Sequence, residues 1–261
     1  MKNIGLIIVV LLSIISVAFK HWENRTVENN SFKQGEVLTY KMQYGFLTIG
    51  QADVSVHSQI FDVNSKPCYR VNVTGQTAGL ASLWKVKNTY RSFMDTTTFL
   101  PQKFIYSARE NDFKRDQTFV FDHNRNTVKR TEKEETKIFN TVANVQDLVS
   151  YYYLVRTQDF SKMPIGSTTN TPMFFNDKMY NITMKYIGKE VIKTKYGKVA
   201  VLKLYPILPN DMLFKGEGGI RIYVSDDANH IPVRFEIDFS FGTIDMELVG
   251  HKGERNPMKW G

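Results

Sequence analysis

A mainly β fold, built as a large curved antiparallel sheet or an incompletely closed β-barrel with one helix packed against it, is predicted by three observations. Short runs rich in β-branched and aromatic residues recur about every ten residues, separated by Gly, Asn, Asp or Pro. One long segment lacks Gly and Pro and carries a helical apolar period instead. Hydrophobic residues make up 42% of the chain and aromatics 13%, ample for a packed core.

The chain opens on Met1-Lys2-Asn3, a short basic start, followed by an apolar run over 4–19 broken only by Gly5, Ser13 and Ser16. Ser16-Val17-Ala18 places small residues at the −3 and −1 positions of a cut after Ala18. A bilayer span needs about 20 residues, so this shorter run reads as a secretory signal peptide over 1–18 rather than a retained anchor. No second apolar stretch approaches that length, so no integral membrane span is expected after cleavage. Residues 19–31 are polar and read as a flexible lead. Residues 32–250 read as a single β-rich domain, and 251–261 as a polar tail expected to fray.

Within the domain, strands are expected at 37–44, 47–57, 68–76, 84–94, 103–108, 117–122 and 127–131. Gly45 turns the first into the second, whose inward set is Ile49, Ala52, Val54 and Val56, with a register shift near Gly50-Gln51. His123-Asn124-Arg125-Asn126 is a polar turn. Residues 129–137 mix both charge signs, as a solvated hairpin edge does. The helix is expected within 143–157. Val145, Leu148, Tyr152 and Val155 fall at i, i+3, i+7 and i+10, Val149 and Tyr153 widen the face, and Asn144 is the expected N-cap with Asp147 three residues on. Strands resume at 167–175, 178–186, 190–194, 198–206, 220–225, 233–240 and 243–249.

Composition and motifs narrow the function. Cys68 is the only cysteine, which rules out an intramolecular disulfide, and it reads as a small buried residue rather than a nucleophile. The formal charge is +8, but the basic residues are dispersed and an exported chain seldom meets nucleic acid, so no nucleic-acid partner is expected. There is no G-x-S-x-G elbow and no H-E-x-x-H helix. Gly216-Glu217-Gly218-Gly219 precedes a strand, which makes a poor phosphate cradle. The histidines at 21, 57, 123, 230 and 251 are isolated, and Asp226-Asp227 lacks the ligand spacing of a calcium loop and reads as an Asx turn. No catalytic residue, metal or cofactor is expected.

A curved sheet that holds a helix in its concavity leaves room for an apolar cavity. The apolar loop segments 79–84 and 211–214 are expected to border it. The candidate ligand-binding residues are Leu83, Trp84, Leu148, Tyr152, Val155, Met212 and Phe214. The leading functional reading is a non-enzymatic exported cell-envelope protein that binds a lipid or other apolar or amphipathic ligand, or a partner segment. The alternative is an envelope structural or assembly factor that uses the sheet surface to contact a partner protein. A third reading, an envelope hydrolase, needs a cleft with a perturbed histidine beside a carboxylate.

Three motifs in order resemble a family of exported bacterial proteins, domain of unknown function 3108. Phe32-Lys33-Gln34-Gly35-Glu36-Val37-Leu38-Thr39-Tyr40, followed by Gly50-Gln51-Ala52, resembles its F-x-x-G-E-x-L-x-Y and G-x-A. Asp147 to Arg156 is similar to its D-x-x-S-x-x-Y-x-x-R helix. Ser225-Asp226-Asp227 with Ile231-Pro232-Val233 resembles its W-x-S-D-D-x-x-x-x-P-V hairpin, with Tyr223-Val224 where the family often shows Trp and an aliphatic residue. The resemblance spans about residues 32–250 and implies an exported all-β domain of the bacterial periplasm or envelope, with no established activity and no catalytic residues to carry over. By fold analogy alone, the chain also resembles the periplasmic lipoprotein carriers, whose half-barrel packs around helices and binds acyl chains.

Overall fold

The structure, a computed structural model, describes residues 25–207, 219–240 and 242–261, and leaves the side chain of Leu80 undescribed. The expected signal peptide, and Met212 and Phe214 of the candidate ligand-binding set, lie outside the described residues. Among the described residues, fourteen strands form one antiparallel sheet. They are β1 Val37–Tyr44, β2 Leu47–Val63, β3 Lys66–Thr77, β4 Val86–Asp95, β5 Pro101–Glu110, β6 Phe113–Asp122, β7 Thr127–Glu132, β8 Glu135–Asn140, β9 Thr168–Phe175, β10 Lys178–Thr194, β11 Gly197–Ile207, β12 Ile220–Ser225, β13 Pro232–Phe239 and β14 Gly242–Lys252. Chain neighbours pair along two meanders, β1 to β8 and β9 to β14, which join where β1 pairs with β14.

Period-two burial sets the curvature. On β2, Gly50, Ala52, Val54 and Val56 face the core. Met42 pairs with Gly50 and Gln43 with Thr48, so Ile49 is the extra residue of a bulge, next to where the sequence places the register shift. The two edges meet through side chains rather than a ladder. Phe139 on β8 lies 5.3 Å from Phe174 on β9, ring to ring, and Arg130 on β7 pairs with Asp177 in the β9–β10 turn. The Phe174 amide donates to the Gln146 carbonyl at 2.9 Å, which takes up part of the β9 edge. The result is an incompletely closed barrel.

Two element boundaries differ from expectation. Residues 178–186 and 190–194 form a single strand, β10, because Gly188 at φ +139° absorbs a register shift there. The helix α1, Leu148–Arg156, is capped by Asp147 and not by Asn144, which sits in a left-handed turn at φ +60°. The Asp147 carboxylate accepts from the Val149 and Ser150 amides while the Ser150 hydroxyl accepts from the Asp147 amide. That reciprocal pair outcompetes a lone Asn cap.

Asp147 also accepts from the Ser92 hydroxyl at 2.6 Å and is buried, and burial pushes its carboxyl pKa up to about 6 despite these hydrogen bonds. The native state therefore keeps the proton at a pH where the unfolded chain has lost it. The stability this group adds is complete below the unfolded value and fades as pH rises through about 6, a change of roughly 2–3 kcal/mol. Urea unfolding of the parent and of Asp147→Asn at pH 4.5 and 7.5 should show the parent's advantage shrinking at the higher pH; a pH-independent difference would contradict this.

Both chain ends of the described body are tied down. The Val27 amide donates to Thr97 at 2.8 Å, and the buried Ser31 hydroxyl donates to the Arg156 carbonyl at 2.6 Å. The tail does not fray as its composition suggests. Trp260 stacks on Tyr196 at 4.7 Å, Gly261 and Lys198 exchange backbone hydrogen bonds, and Met258 and Trp260 pack on the core. Cys68 is buried, and desolvation pushes its thiol up to about 12.

Alternating strand direction sorts the connections. The β2–β3, β4–β5, β6–β7, β10–β11 and β12–β13 connections lie at one end of the sheet, with the C-terminus of α1. The β1–β2, β3–β4, β5–β6, β7–β8 and β9–β10 connections lie at the other end, the rim.

Candidate functional site

Helix α1 presents two faces. Val149 and Tyr153 enter the main core, where the Tyr153 ring meets Phe32 edge-on at 4.4 Å. The other face carries Leu148, Tyr152 and Val155 and borders a cavity of about 270 Å3 against the second meander. Alternation on β12 aims Ile220, Ile222 and Val224 at it, and Ile182, Met184, Phe235, Ile237 and Arg156 are among the other residues of the wall. The described residues of the wall expose apolar atoms only to it. The Tyr152 hydroxyl lies 3.2 Å from that of Tyr40, which donates to the Pro232 carbonyl at 2.9 Å. Burial pushes the Tyr151 phenol upward, and its hydroxyl is buried without a hydrogen-bond partner among the described residues.

The opposite half of the concavity is filled. Tyr90 stacks on Tyr106 at 5.0 Å and Phe104 packs on Phe119 at 5.7 Å, leaving about 120 Å3. Apolar cavities stay dry, and one of about 150 Å3 already binds benzene. The larger cavity can therefore take apolar matter, and the charged residue on its described wall, Arg156, is bound to Glu36.

The sequence-predicted residues separate. Leu148, Tyr152 and Val155 come together on the cavity wall. Leu83 and Trp84 do not line it; they stand exposed on the β3–β4 connection at the rim. The Thr77 hydroxyl donates to the Trp84 carbonyl at 2.6 Å, and the Trp84 amide donates to the Ala81 carbonyl at 3.0 Å, which fixes the local path of that connection. The strand residues of the wall are absent from the sequence reading: the alternation of 220, 222 and 224 marks a strand face, and only the strand order sets it against α1.

Behind the cavity lies a buried ionic junction. Arg156 forks onto Glu36, Nη1 to Oε1 at 2.6 Å and Nη2 to Oε2 at 2.8 Å, with both side chains 0% exposed. The guanidinium also donates to the carbonyls of Ser31 at 3.0 Å and Asn229 at 3.1 Å, and the Tyr153 hydroxyl donates to Glu36 at 3.3 Å. Desolvation works against the charged guanidinium, but the Glu36 charge and hydrogen bonds outweigh it and hold Arg156 protonated, above its ordinary range. Asn229 is fixed in turn by Asp227, which accepts from its amide at 2.9 Å and from the Ser225 hydroxyl at 2.9 Å. The three sequence motifs thus converge on one buried point.

The two aspartates of the hairpin divide their work. Asp227 closes the turn, whereas the Asp226 carboxylate pairs with Lys189 at 2.7 Å instead of with backbone amides. Asp227→Ala should lower stability by about 0.5–2 kcal/mol, as loss of a cap does, and Asp226→Ala by less than about 0.5 kcal/mol. Thermal unfolding of the two variants decides; equal losses would contradict this division.

His123 donates to the Pro101 carbonyl at 2.7 Å and stacks on Phe121, and burial lowers its pKa. His230 lies in a polar cleft with Asp159 and Asp226, its Nδ1–H donating to the Arg156 carbonyl at 2.8 Å. Among the described residues, no group of three or more His, Cys, Asp or Glu is placed to hold a metal. Among them, too, no helix is long and apolar enough to cross a membrane.

A family model described as "Protein of unknown function (DUF3108)" matches residues 39–249. No curated protein matches the sequence. Among solved structures, the fold is similar to a β-barrel-like protein of domain of unknown function DUF1849 from Brucella abortus, at 8% identity and a TM-score of 0.56, covering 85% of this chain and 99% of that one. A candidate lipoprotein from Parabacteroides distasonis aligns at 12% identity and a TM-score of 0.38, covering 88% and 100%. A candidate exported protein with a YmcC-like fold from Bacteroides fragilis aligns at 10% identity and a TM-score of 0.37, covering 87% and 99%.

Proposed function

The chain belongs to the family described as "Protein of unknown function (DUF3108)", and on that premise we propose a non-enzymatic role in the bacterial periplasm or envelope, binding an apolar or amphipathic ligand such as a lipid acyl chain. The cavity between α1 and β9–β13 carries this reading, because the described residues of its wall expose apolar atoms only to it. An acyl chain gains about 0.8 kcal/mol for each methylene it buries there. A charged headgroup stays at the mouth, because Arg156 on the described wall is already held by Glu36. Export is supported by the basic start, the short apolar run and the Ser16-Val17-Ala18 site.

Native mass spectrometry of the protein purified from its own host tests both parts. The expected result is a chain that begins at Phe19 and carries co-purified lipid. A mass beginning at Met1 overturns cleavage. The cavity is tested with a fluorescent fatty acid, for which saturable binding is expected. Leu148 sits at the first helical position, half exposed, so Leu148→Trp fills the cavity with little effect on the fold. Affinity should drop at least about tenfold while stability stays within about 1 kcal/mol of the parent. No saturable binding by the parent, or unchanged binding by the variant, rejects the cavity as a ligand site.

A further inference from the structure

The rim joins two features that the ligand reading leaves unused. Phe46 is 90% exposed at the tip of the β1–β2 turn, and Leu83 and Trp84 are 83% and 62% exposed on the β3–β4 connection. These are presented by a held backbone. The Ser82 hydroxyl donates to Gly79 at 2.7 Å, and Lys85 and Asn111 exchange hydrogen bonds at 2.8 and 3.1 Å, which ties this connection to the β5–β6 turn. Gly79 adopts φ +61°, and a Cβ there would collide with the Thr48 carbonyl, so the turn is built for glycine. Beside Leu83 and Trp84 lies a groove of about 300 Å3 whose lining, among the described residues, includes Lys85, Lys87 and Arg109 and no carboxylate. Arg109 also reaches Asp116 at 2.8 Å; Lys85 and Lys87 are exposed.

We propose that the rim docks on the surface of an anionic phospholipid bilayer. Phe46, Leu83 and Trp84 enter the interfacial layer, where aromatic rings and apolar side chains leave water without needing a folded partner. Lys85, Lys87 and Arg109 face the lipid phosphates, and this charge complementarity favours a bilayer over an uncharged protein partner. Docking stands apart from cavity binding, because none of these six residues lines the cavity.

The test uses the full chain with an environment-sensitive fluorophore on Ser82→Cys or, separately, on Ser65→Cys at the opposite end. Cys68 is buried and stays unlabelled. Vesicles of phosphatidylglycerol and phosphatidylcholine in equal parts should raise and blue-shift the emission at position 82 and leave that at 65 unchanged. Leu83→Ser/Trp84→Ser and Lys85→Glu/Lys87→Glu should each weaken the response at least about tenfold, and vesicles of phosphatidylcholine alone should give a weaker one. All four substituted side chains are exposed, so an unchanged unfolding midpoint confirms that the fold is kept. Silence at 82, an equal response at 65, an undiminished response in the variants, or the same response to inorganic phosphate overturns the proposal. Fatty-acid binding by the same variants reads the cavity independently.

Discussion

Replacing Arg156 by Met is expected to lower stability by about 3–5 kcal/mol, among the largest losses any single change in this chain should cause. The substitution leaves the Glu36 carboxylate fully buried, with only the Tyr153 hydroxyl donating to it at 3.3 Å. It also strips donors from the carbonyls of Ser31 and Asn229. The loss reflects an uncompensated buried charge rather than the net worth of the pair. The double variant Glu36→Leu/Arg156→Met removes both charges and should recover a large part of the loss, since apolar groups of similar volume often replace a buried pair at little cost. Urea unfolding of the parent, both single variants and the double variant measures the coupling. A single variant within about 1 kcal/mol of the parent would show that the junction is not what joins the motifs.

Phe32→Ala should cost a similar amount, about 3–5 kcal/mol. Phe32 lies outside any strand, yet it is 0% exposed and meets Tyr153 at 4.4 Å, Tyr69 at 5.2 Å and Phe99 at 5.6 Å. The Arg156 guanidinium stands 5.7 Å from its ring. Deleting the ring opens a cavity among rigid aromatic neighbours that cannot collapse into it. Phe32→Leu keeps most of the volume and should recover over half of the loss. Thermal and urea unfolding check both; a loss below about 1 kcal/mol for Phe32→Ala would mean that the segment just before β1 is not part of the core.

How much of this was legible depends on distance along the chain. Strands such as Ile220–Ser225 follow from local alternation and flanking turn residues, and the structure places that strand where the sequence does. The helix start was misread because Val145 continues the apolar period across the cap, while in the structure it packs in the core before α1 begins. Gly188 looked like a break because a glycine that ends a strand and one that kinks it read alike. On the cavity, Leu148, Tyr152 and Val155 share a helix face and were visible together. Ile222 and Phe235 were not, because only the strand order puts β12 and β13 opposite that face. Glu36 and Arg156 lie 120 residues apart in two separate motifs, and nothing local to either motif names the other as its partner. The tail was misjudged because Met258 and Trp260, two anchors among polar residues, outweigh its average composition.

The pairing of β1 with β14 has a consequence in time. Val37 finds its partner in Lys252, and Tyr44 in Ile244, across 200 or more positions of chain. While the polypeptide is being made, β1 has β2 on one side and nothing on the other until residues 242–252 emerge. What becomes the middle of the finished sheet is, for most of synthesis, an open border, and the longest loop in the molecule must close before the two meanders become one.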